Sequence, residues 1–139
     1  MLTRAQIQAR IPHAGAMCLL DAVQRWDATT IVCQAPAPTA AHPLARAQGV
    51  PAVAAVEYAA QAAAVHGSLL DGAATPRDGM LAKLADVELS AALLGEAGGP
   101  LTVRAELLSR VASGCMYMFE VSDPRAVVAR GRLLVAFQP

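Results

Sequence analysis

Aromatic side chains are scarce in this sequence, and neither sign of charge is in excess. Aromatic residues make up 4% of the 139 positions, and eleven basic and eleven acidic residues cancel to a formal net charge of zero. Proteins that bind nucleic acid or anionic membranes usually carry a basic patch, so neither partner is expected here. The sequence also lacks a run of 18 or more strongly apolar residues, which argues against insertion into a membrane.

Cysteines and familiar catalytic motifs are sparse as well. Cys18, Cys33 and Cys115 form an odd set without CxxC spacing, which favours reduced core thiols over a disulfide framework or a zinc site. The histidines are also too widely separated to suggest metal ligands, so we expect no metal. The absence of a glycine-rich phosphate loop, a nucleophile elbow and an HExxH motif disfavours phosphoryl transfer and serine hydrolysis, and no cofactor is expected. Residues 1–10 lack the apolar stretch of a secretory signal, so the cytoplasm is the default location.

Small apolar residues are abundant instead. Hydrophobic residues make up 55% of the sequence, and alanine contributes much of that fraction. This length and apolar content predict one compact domain over residues 1–139. A domain of this size gains stability by associating through a sheet edge or a large apolar face.

Two segments have the pattern of helices. Thr3 and Gln6 have the spacing of a capping box, which predicts a short helix over residues 4–9. Residues 52–70 contain strong helix formers with no breaker before Gly67. Because small apolar side chains surround this second helix almost completely, it is predicted to be enclosed by other structure.

Most of the remaining sequence has the pattern of strands. Residues 36–49 are an exception, because three prolines and a lack of periodicity predict a long irregular loop, which is often functional in a small domain. Runs of strands around one buried helix predict an α+β domain in which an antiparallel sheet covers that helix. The predicted strands are 17–26 and 29–35, paired as a hairpin, then 80–94 with a bulge, 101–108, 115–122 and 126–137.

Glu57 is unusual because it is an acid in the first half of an otherwise apolar helix. Ionising such a carboxyl is costly unless it is paired, hydrogen-bonded or open to a cavity. A solvent-facing helix turn or an ion pair with an arginine would explain it, but perturbed acids gather at functional sites, which favours a functional role. Gln61 lies four residues further on, on the same helix face. Both polar groups are therefore predicted to face one cavity.

The three histidines have different spacings from this acid. His42 lies in the irregular loop fifteen positions before Glu57. It could fold over the start of the helix as an acid or base, or it could be an exposed loop residue. His66 lies nine residues after Glu57, on the opposite side of the helix, which favours a structural or exposed position. His13 follows Pro12 and precedes Gly15, which predicts a turn between the first helix and the first hairpin strand, and a structural hydrogen bond there is at least as good an explanation as a catalytic role.

Two motifs together resemble a known family. Residues 11–23 read IPHAGAMCLLDAV and residues 50–64 read VPAVAAVEYAAQAAA. They are similar to the opening motif and the acid-bearing helix of hotdog-fold 3-hydroxyacyl-acyl-carrier-protein dehydratases, and the resemblance spans essentially the whole chain. The EYxAQ form of the helix is closer to a divergent branch linked to aryl-polyene or related polyketide-like lipid pathways. The matching residues are Pro12, His13, Leu19, Leu20, Asp21, Pro51, Glu57, Ala60 and Gln61.

The resemblance implies both a fold and a reaction. The implied fold is the hotdog, in which an antiparallel sheet wraps around a long central helix. The implied reaction is dehydration of 3-hydroxyacyl thioesters, carried on acyl-carrier protein or coenzyme A, to trans-2-enoyl thioesters in fatty-acid or polyketide-like lipid biosynthesis. The family also implies a homodimer or larger hotdog oligomer with active sites near the interface, without a cofactor.

Roles for individual residues follow from the same resemblance. His42 would be the base that removes the C2 proton, with His13 as the reserve base. Glu57 would protonate or position the leaving hydroxyl group, and Gln61 would orient Glu57. This division of roles suits an elimination, which needs one proton removed and another delivered.

The start of the long helix is predicted to bind the thioester carbonyl of the substrate, and two other functions remain open. Backbone N–H groups near Ala52 and Val53, at the start of the long helix, could bind the thioester oxygen with help from the helix dipole. A hotdog thioesterase is one alternative, in which the helix carboxylate activates water. The other is a catalytically degenerate subunit that binds acyl chains or carrier protein and pairs with a catalytic homologue.

Overall fold

A computed structural model describes residues 1–12, 15–72 and 79–137. It contains two α-helices, α1 over Arg4–Gln8 and α2 over Ala55–Asp71. A 3₁₀ turn, Ala52–Ala54, leads into α2, and another lies at Gly15–Met17. The described strands are β1 Leu2–Thr3, β2 Ala22–Trp26, β3 Thr30–Ala35, β4 Val50–Pro51, β5 Gly79–Leu89, β6 Leu93–Leu94, β7 Leu101–Val111, β8 Gly114–Ser122 and β9 Val127–Phe137.

Seven of these strands form one antiparallel sheet. Its order is β1-β2-β3-β7-β8-β9-β5, while β4 and β6 pair separately. Helix α2 packs against β3, β7 and β8, near the middle of the sheet. The core between helix and sheet includes Tyr58, Ala62, Val65, Val103 and Phe119, each at most 1% exposed. An α+β domain with a sheet covering one long helix is therefore confirmed.

Most sequence-predicted elements are present, and the helix ends have clear physical causes. The Thr3 hydroxyl accepts from the Gln6 amide while the Gln6 side chain accepts from the Thr3 amide, which confirms the capping box. Helix α2 ends at Asp71, and the residue that caps it, Gly72, has a φ of 65°, which suits a residue without a Cβ atom. The start of α2 is three residues later than expected, because residues 52–54 form the 3₁₀ turn.

Two strand predictions were too long. The hairpin is confirmed as β2 and β3, but residues 17–21 do not join it. Side chains bond three of their backbone groups instead: the Met17 carbonyl and Leu19 amide by Gln61, and the Leu20 carbonyl by Arg4. Only the Asp21 amide among them donates to β3, at the Gln34 carbonyl. Similarly, the predicted strand 80–94 leaves the sheet at Leu89, because β6 turns away to pair with β4.

Strand β5 is the long edge strand of the main sheet, and the two-residue β1 is the opposite edge. Strand β5 pairs with β9 through a ladder that shifts register twice, and most of its residues are exposed. Bulges of this kind are common at sheet edges. Several large apolar side chains on this strand remain in contact with solvent, at 39–58% exposure: Met80, Leu81, Leu84 and Leu89. In the described ranges, no helix is long and apolar enough to cross a membrane.

Candidate active site

A cavity of about 240 Å³ lies between helix α2 and one end of the sheet. On the helix its lining includes Glu57, Ala60, Ala64, Ser68 and Asp71, whose spacings of three or four residues place them along one face. Glu57 and Asp71 are fourteen positions apart, which corresponds to about 21 Å along the helix axis at 1.5 Å per residue. The small side chains along the middle of this face leave room for a ligand. The sheet side of the cavity is formed by Leu81, Arg110, Cys115, Tyr117, Val135 and Phe137.

Glu57 lies at one end of this cavity, and Gln61 holds it in place. The Gln61 side chain is 1% exposed, and its Nε2 donates to the Met17 carbonyl at 2.7 Å and to Glu57 Oε1 at 3.3 Å. Its Oε1 accepts from the Leu19 amide at 2.9 Å, which fixes which end of the amide is oxygen. The structure thus brings the predicted acid and glutamine together. Glu57 is half-buried in the first turn of α2, where the helix dipole favours a carboxylate.

His42 points elsewhere within the same chain. Its Nε2 lies 2.9 Å from the Tyr58 hydroxyl, and its Nδ1 accepts from the Leu44 amide at 3.0 Å. The half-buried ring stacks at 5.9 Å from the Tyr58 ring, and burial lowers the pKa of His42. Tyr58 follows Glu57 on the helix, so the two side chains diverge by about 100°. His42 is accordingly not among the described residues that line the cavity.

His66 is a buried structural residue, one of the two outcomes expected from its spacing. It is fully buried, with Nε2 at 2.8 Å from the Asp27 carbonyl and Nδ1 at 2.7 Å from the Tyr117 hydroxyl. Because a carbonyl can only accept, Nε2 carries the proton and Nδ1 accepts from Tyr117. Burial lowers the pKa of His66 and raises the pKa of Tyr117.

Charged and aromatic groups form the end of the cavity farthest from Glu57. Arg110 Nη2 lies 2.6 Å from Asp71 Oδ1, and its guanidinium is 5.8 Å from the centre of the Phe137 ring. Arg10 Nη1 donates to the Ser68 hydroxyl at 3.1 Å. The sequence predictions missed these groups, together with Tyr117. Each contact joins residues distant along the chain, and spacing gave no signal for them.

The other predicted site residues have mixed outcomes. The Ala52 amide donates to the Ala92 carbonyl at 2.9 Å, so it is already committed and does not suit a substrate oxygen in this structure. Val53 lies in the 3₁₀ turn before α2 with its side chain 56% exposed. His13 lies outside the described residues. Among the residues that are described, no three acidic, cysteine or histidine side chains group as a metal site would require.

Two of the three cysteines are core residues, as the sequence predicts. None of the three cysteines, all of which the structure describes, is in a disulfide, and Cys18 and Cys33 are buried. Burial raises the pKa of Cys18 and raises the pKa of Cys33 to about 12. These two thiols therefore pack as small apolar groups. Cys115 is half-buried and contributes to the cavity wall.

Comparison with solved structures establishes the fold. The dehydratase heterocomplex ApeI:P from Xenorhabdus doucetiae matches with a TM-score of 0.84 and 23% identity, over 100% of this chain and 93% of that one. A thioesterase from Staphylococcus aureus matches with a TM-score of 0.63 and 15% identity, over 85% and 93%. A hypothetical thioesterase from Streptococcus pneumoniae, solved with coenzyme A, gives 0.63 and 11%, over 84% of each chain. The hotdog fold is thereby confirmed.

Comparison of sequences identifies the family. No curated protein sequence matches the chain. The ApeP-like family model, described as ApeP dehydratase, matches residues 5–139 and so covers nearly the whole sequence. The match includes the helix that carries Glu57 and Gln61 and every strand of the sheet from β2 onward. The chain therefore belongs to the ApeP-like family of dehydratases.

Proposed function

We propose that this protein dehydrates 3-hydroxyacyl thioesters, carried on acyl-carrier protein, to trans-2-enoyl thioesters. The main support is the Glu57 carboxylate, which the buried Gln61 amide orients at one end of an extended cavity beside α2. A cavity that runs along about 21 Å of helix suits an extended acyl chain. Membership of a dehydratase family supports the same reaction.

The proposed chemistry needs a group that can both accept and deliver protons near C2 and C3. The C2–H and C3–O bonds break, a C2–C3 double bond forms, and the hydroxyl group leaves as water after gaining a proton. Charge develops on the thioester oxygen during the reaction and must be stabilised by hydrogen-bond donors. Glu57 suits the proton transfer to the leaving hydroxyl, and the backbone around Val53, in the turn that begins the helix, suits the oxygen.

A complete site on this proposal needs two chains. Within one chain, His42 contacts Tyr58 and does not line the cavity that contains Glu57. If both residues act on one substrate, His42 must therefore come from a neighbouring subunit. The exposed apolar edge strand β5 is a suitable surface for that subunit, and its Leu81 also lines the cavity. A homodimer is the simplest assembly, while a related protein is described as a heterocomplex.

A thioesterase is the second candidate function. The cavity of this chain contains Glu57 but not His42, and a carboxylate that activates water would not need the histidine. The structural likeness to thioesterases from Staphylococcus aureus and Streptococcus pneumoniae is compatible with this alternative. The third candidate function is that of a partner subunit without catalytic activity of its own.

Product analysis separates these functions. The purified protein is incubated with short 3-hydroxyacyl thioesters of pantetheine and of acyl-carrier protein, and enoyl-thioester absorbance and free thiol are followed in parallel. We expect enoyl product without thiol release. Thiol release without enoyl product would replace the dehydratase with a thioesterase. Neither product from any of these substrates would contradict both enzymatic proposals and favour the partner subunit.

A further inference from the structure

The cavity beside α2 changes from apolar to charged along its length. On the helix side, four small residues follow Glu57: Ala60, Ala63, Ala64 and Gly67. Over the last turn of the helix the lining becomes polar, and it includes Arg10, Ser68, Asp71 and Arg110. Ser68 is eleven positions after Glu57, so this polar end lies about 17 Å further along the helix axis.

An ion pair forms the polar end, and residues of three elements build it. Arg110 Nη2 in β7 lies 2.6 Å from Asp71 Oδ1 in α2, and the guanidinium lies 5.8 Å from the centre of the Phe137 ring in β9. Asp71 is the last residue of α2, where the helix dipole disfavours a carboxylate. The last turn of α2, which is described in full, has no basic residue of its own. Arg110 therefore supplies the cation for this helix end.

The ion pair is only partly shielded from water. The side chains of Arg110 and Asp71 are 23% and 30% exposed. A hydrocarbon chain that reached them would displace that water without returning a hydrogen bond, which is costly for charged groups. The small apolar side chains in the middle of the cavity impose no such cost. A second guanidinium lies at the same end, because Arg10 Nη1 donates to the Ser68 hydroxyl at 3.1 Å.

We propose that the Arg110–Asp71 ion pair limits the length of the acyl chain, because it disfavours a methyl end and accepts a polar one. This inference rests on the proposed function and on the acyl chain lying along α2 from Glu57. A chain that ends among the alanines buries its methyl end in apolar surroundings. A longer chain brings its end to the ion pair, where a hydroxyl group can accept from Arg110 or donate to Asp71, and a methyl group can do neither.

Removing the charges while keeping most of the side-chain volume tests this limit. Arg110→Met combined with Asp71→Asn is the neutralised variant. The matched control is Arg104→Met combined with Glu106→Gln, which neutralises an ion pair of 3.7 Å within β7. Neither control residue is among the described residues that line the cavity.

The measurement is kcat/KM for enoyl formation from pantetheine thioesters of increasing length, from 3-hydroxybutyryl to 3-hydroxystearoyl. We expect the unmodified protein and the control to lose about tenfold or more beyond one chain length, and the neutralised variant to keep its rate past that length. The same limit in the neutralised variant and in the unmodified protein would overturn the inference. It would leave the dehydratase in place, because the shorter substrates would still give enoyl product.

Substrates of equal length that end in a hydroxyl or a methyl group separate polarity from size. At the limiting length we expect the unmodified protein to prefer the hydroxyl-ended substrate by about tenfold or more, as hydrogen bonds to charged groups allow, and the neutralised variant to show no preference. The first of these measurements needs no variant. Equal rates for the two substrates in the unmodified protein would therefore overturn the inference even if the neutralised variant does not fold. A lack of enoyl product from every substrate would instead contradict the proposed function and, with it, this inference.

Discussion

Gln61 uses both ends of its side-chain amide at the point where the helix meets residues 17–19. Replacing it by leucine keeps the approximate volume but leaves the buried Leu19 amide without its partner. We expect Gln61→Leu to lower the free energy of unfolding in urea by about 1–3 kcal/mol, as one unsatisfied buried group does. Gln24→Leu, at an exposed position in β2, is the control and should change little. Equal stability of the two variants would mean that Gln61 does not anchor this segment.

His66 makes the stability of the fold depend on pH. Burial holds its pKa in the folded state below the unfolded value of 6.5, so the unfolded chain binds more protons once the pH falls below that value. The contribution of His66 to the free energy of unfolding is therefore fully present above pH 6.5, and it is lost as the pH falls toward the pKa of the folded state. Backbone amides that donate to Asp27 and Asp123 lower the pKa of both carboxyls, so their stabilisation is lost only as the pH falls below the ordinary value of 3.8.

We therefore expect the urea concentration at the midpoint of unfolding to fall as the pH is lowered from 7 to 5. In His66→Gln it should fall less steeply. His42, whose pKa is also lowered by burial, adds to the slope that remains. An identical slope in the unmodified and His66→Gln proteins would show that His66 is not held neutral by the fold.

The sequence predicted the Glu57 and Gln61 pair because a helix has a fixed period and four residues return to nearly the same face. It could not predict that Tyr58 contacts His42, since that contact depends on the path of the irregular loop. The hydrogen bond made by the Ala52 amide could not be predicted for a similar reason. Its partner, the Ala92 carbonyl, lies forty residues further along the chain.

At the scale of elements, the small side chains of helix α2 define the width of the cavity. Ala64 is exposed and lines this space, so a leucine there would project into it without disturbing the core. We expect Ala64→Leu to lower kcat/KM for longer acyl thioesters by about tenfold or more. The free energy of unfolding should change by less than about 0.5 kcal/mol, as is usual for exposed positions.

Ala5→Leu, at an exposed position on the separate helix α1, is the matched control. It should leave both quantities unchanged. Unchanged kinetics in Ala64→Leu would mean that the acyl chain does not lie beside α2.

Element types were predictable because each has a distinct local signal. The capping box located α1, the alanine-rich run located α2, and the long strands β7, β8 and β9 had apolar residues between clear turns. The errors occurred where side chains, or a short separate sheet, take the backbone hydrogen bonds. Residues 17–21 are bonded to Gln61, Arg4 and β3, and β6 pairs with β4. Local patterns do not contain that information.

At the scale of the whole molecule, β5 is the surface on which assembly would depend. Leu84 in this edge strand is 40% exposed, and Leu108 in β7, within the sheet, is 45% exposed. The two leucines match in exposure but differ in access to an unpaired strand edge. We expect the unmodified protein to sediment as an oligomer, with a mass that is a multiple of 14.3 kDa. Leu84→Lys should lower this mass toward that of a single chain, while Leu108→Lys should leave it unchanged. If Leu108→Lys dissociates the oligomer and Leu84→Lys does not, the interface lies on the face of the sheet that carries Leu108.

The overall architecture followed from the order of elements, and the resemblance of two motifs was enough to expect the hotdog fold. The acyl carrier, the homodimer and the cytoplasmic location stay predictions. They depend on surfaces between molecules, where the pattern within one chain gives little information. The arrangement of Glu57 and His42 illustrates this limit, because one chain does not bring them to the same cavity.

The most direct test compares enoyl-thioester formation by Glu57→Gln with that by Glu96→Gln, an exposed glutamate in the turn before β7. Both changes remove one negative charge, but only the first removes the carboxylate from the cavity. We expect Glu57→Gln to lose at least about 10²-fold, the contribution of a positioned acid or base, with Glu96→Gln unchanged. Equal activity of the two variants would contradict the assignment of Glu57 as the catalytic acid.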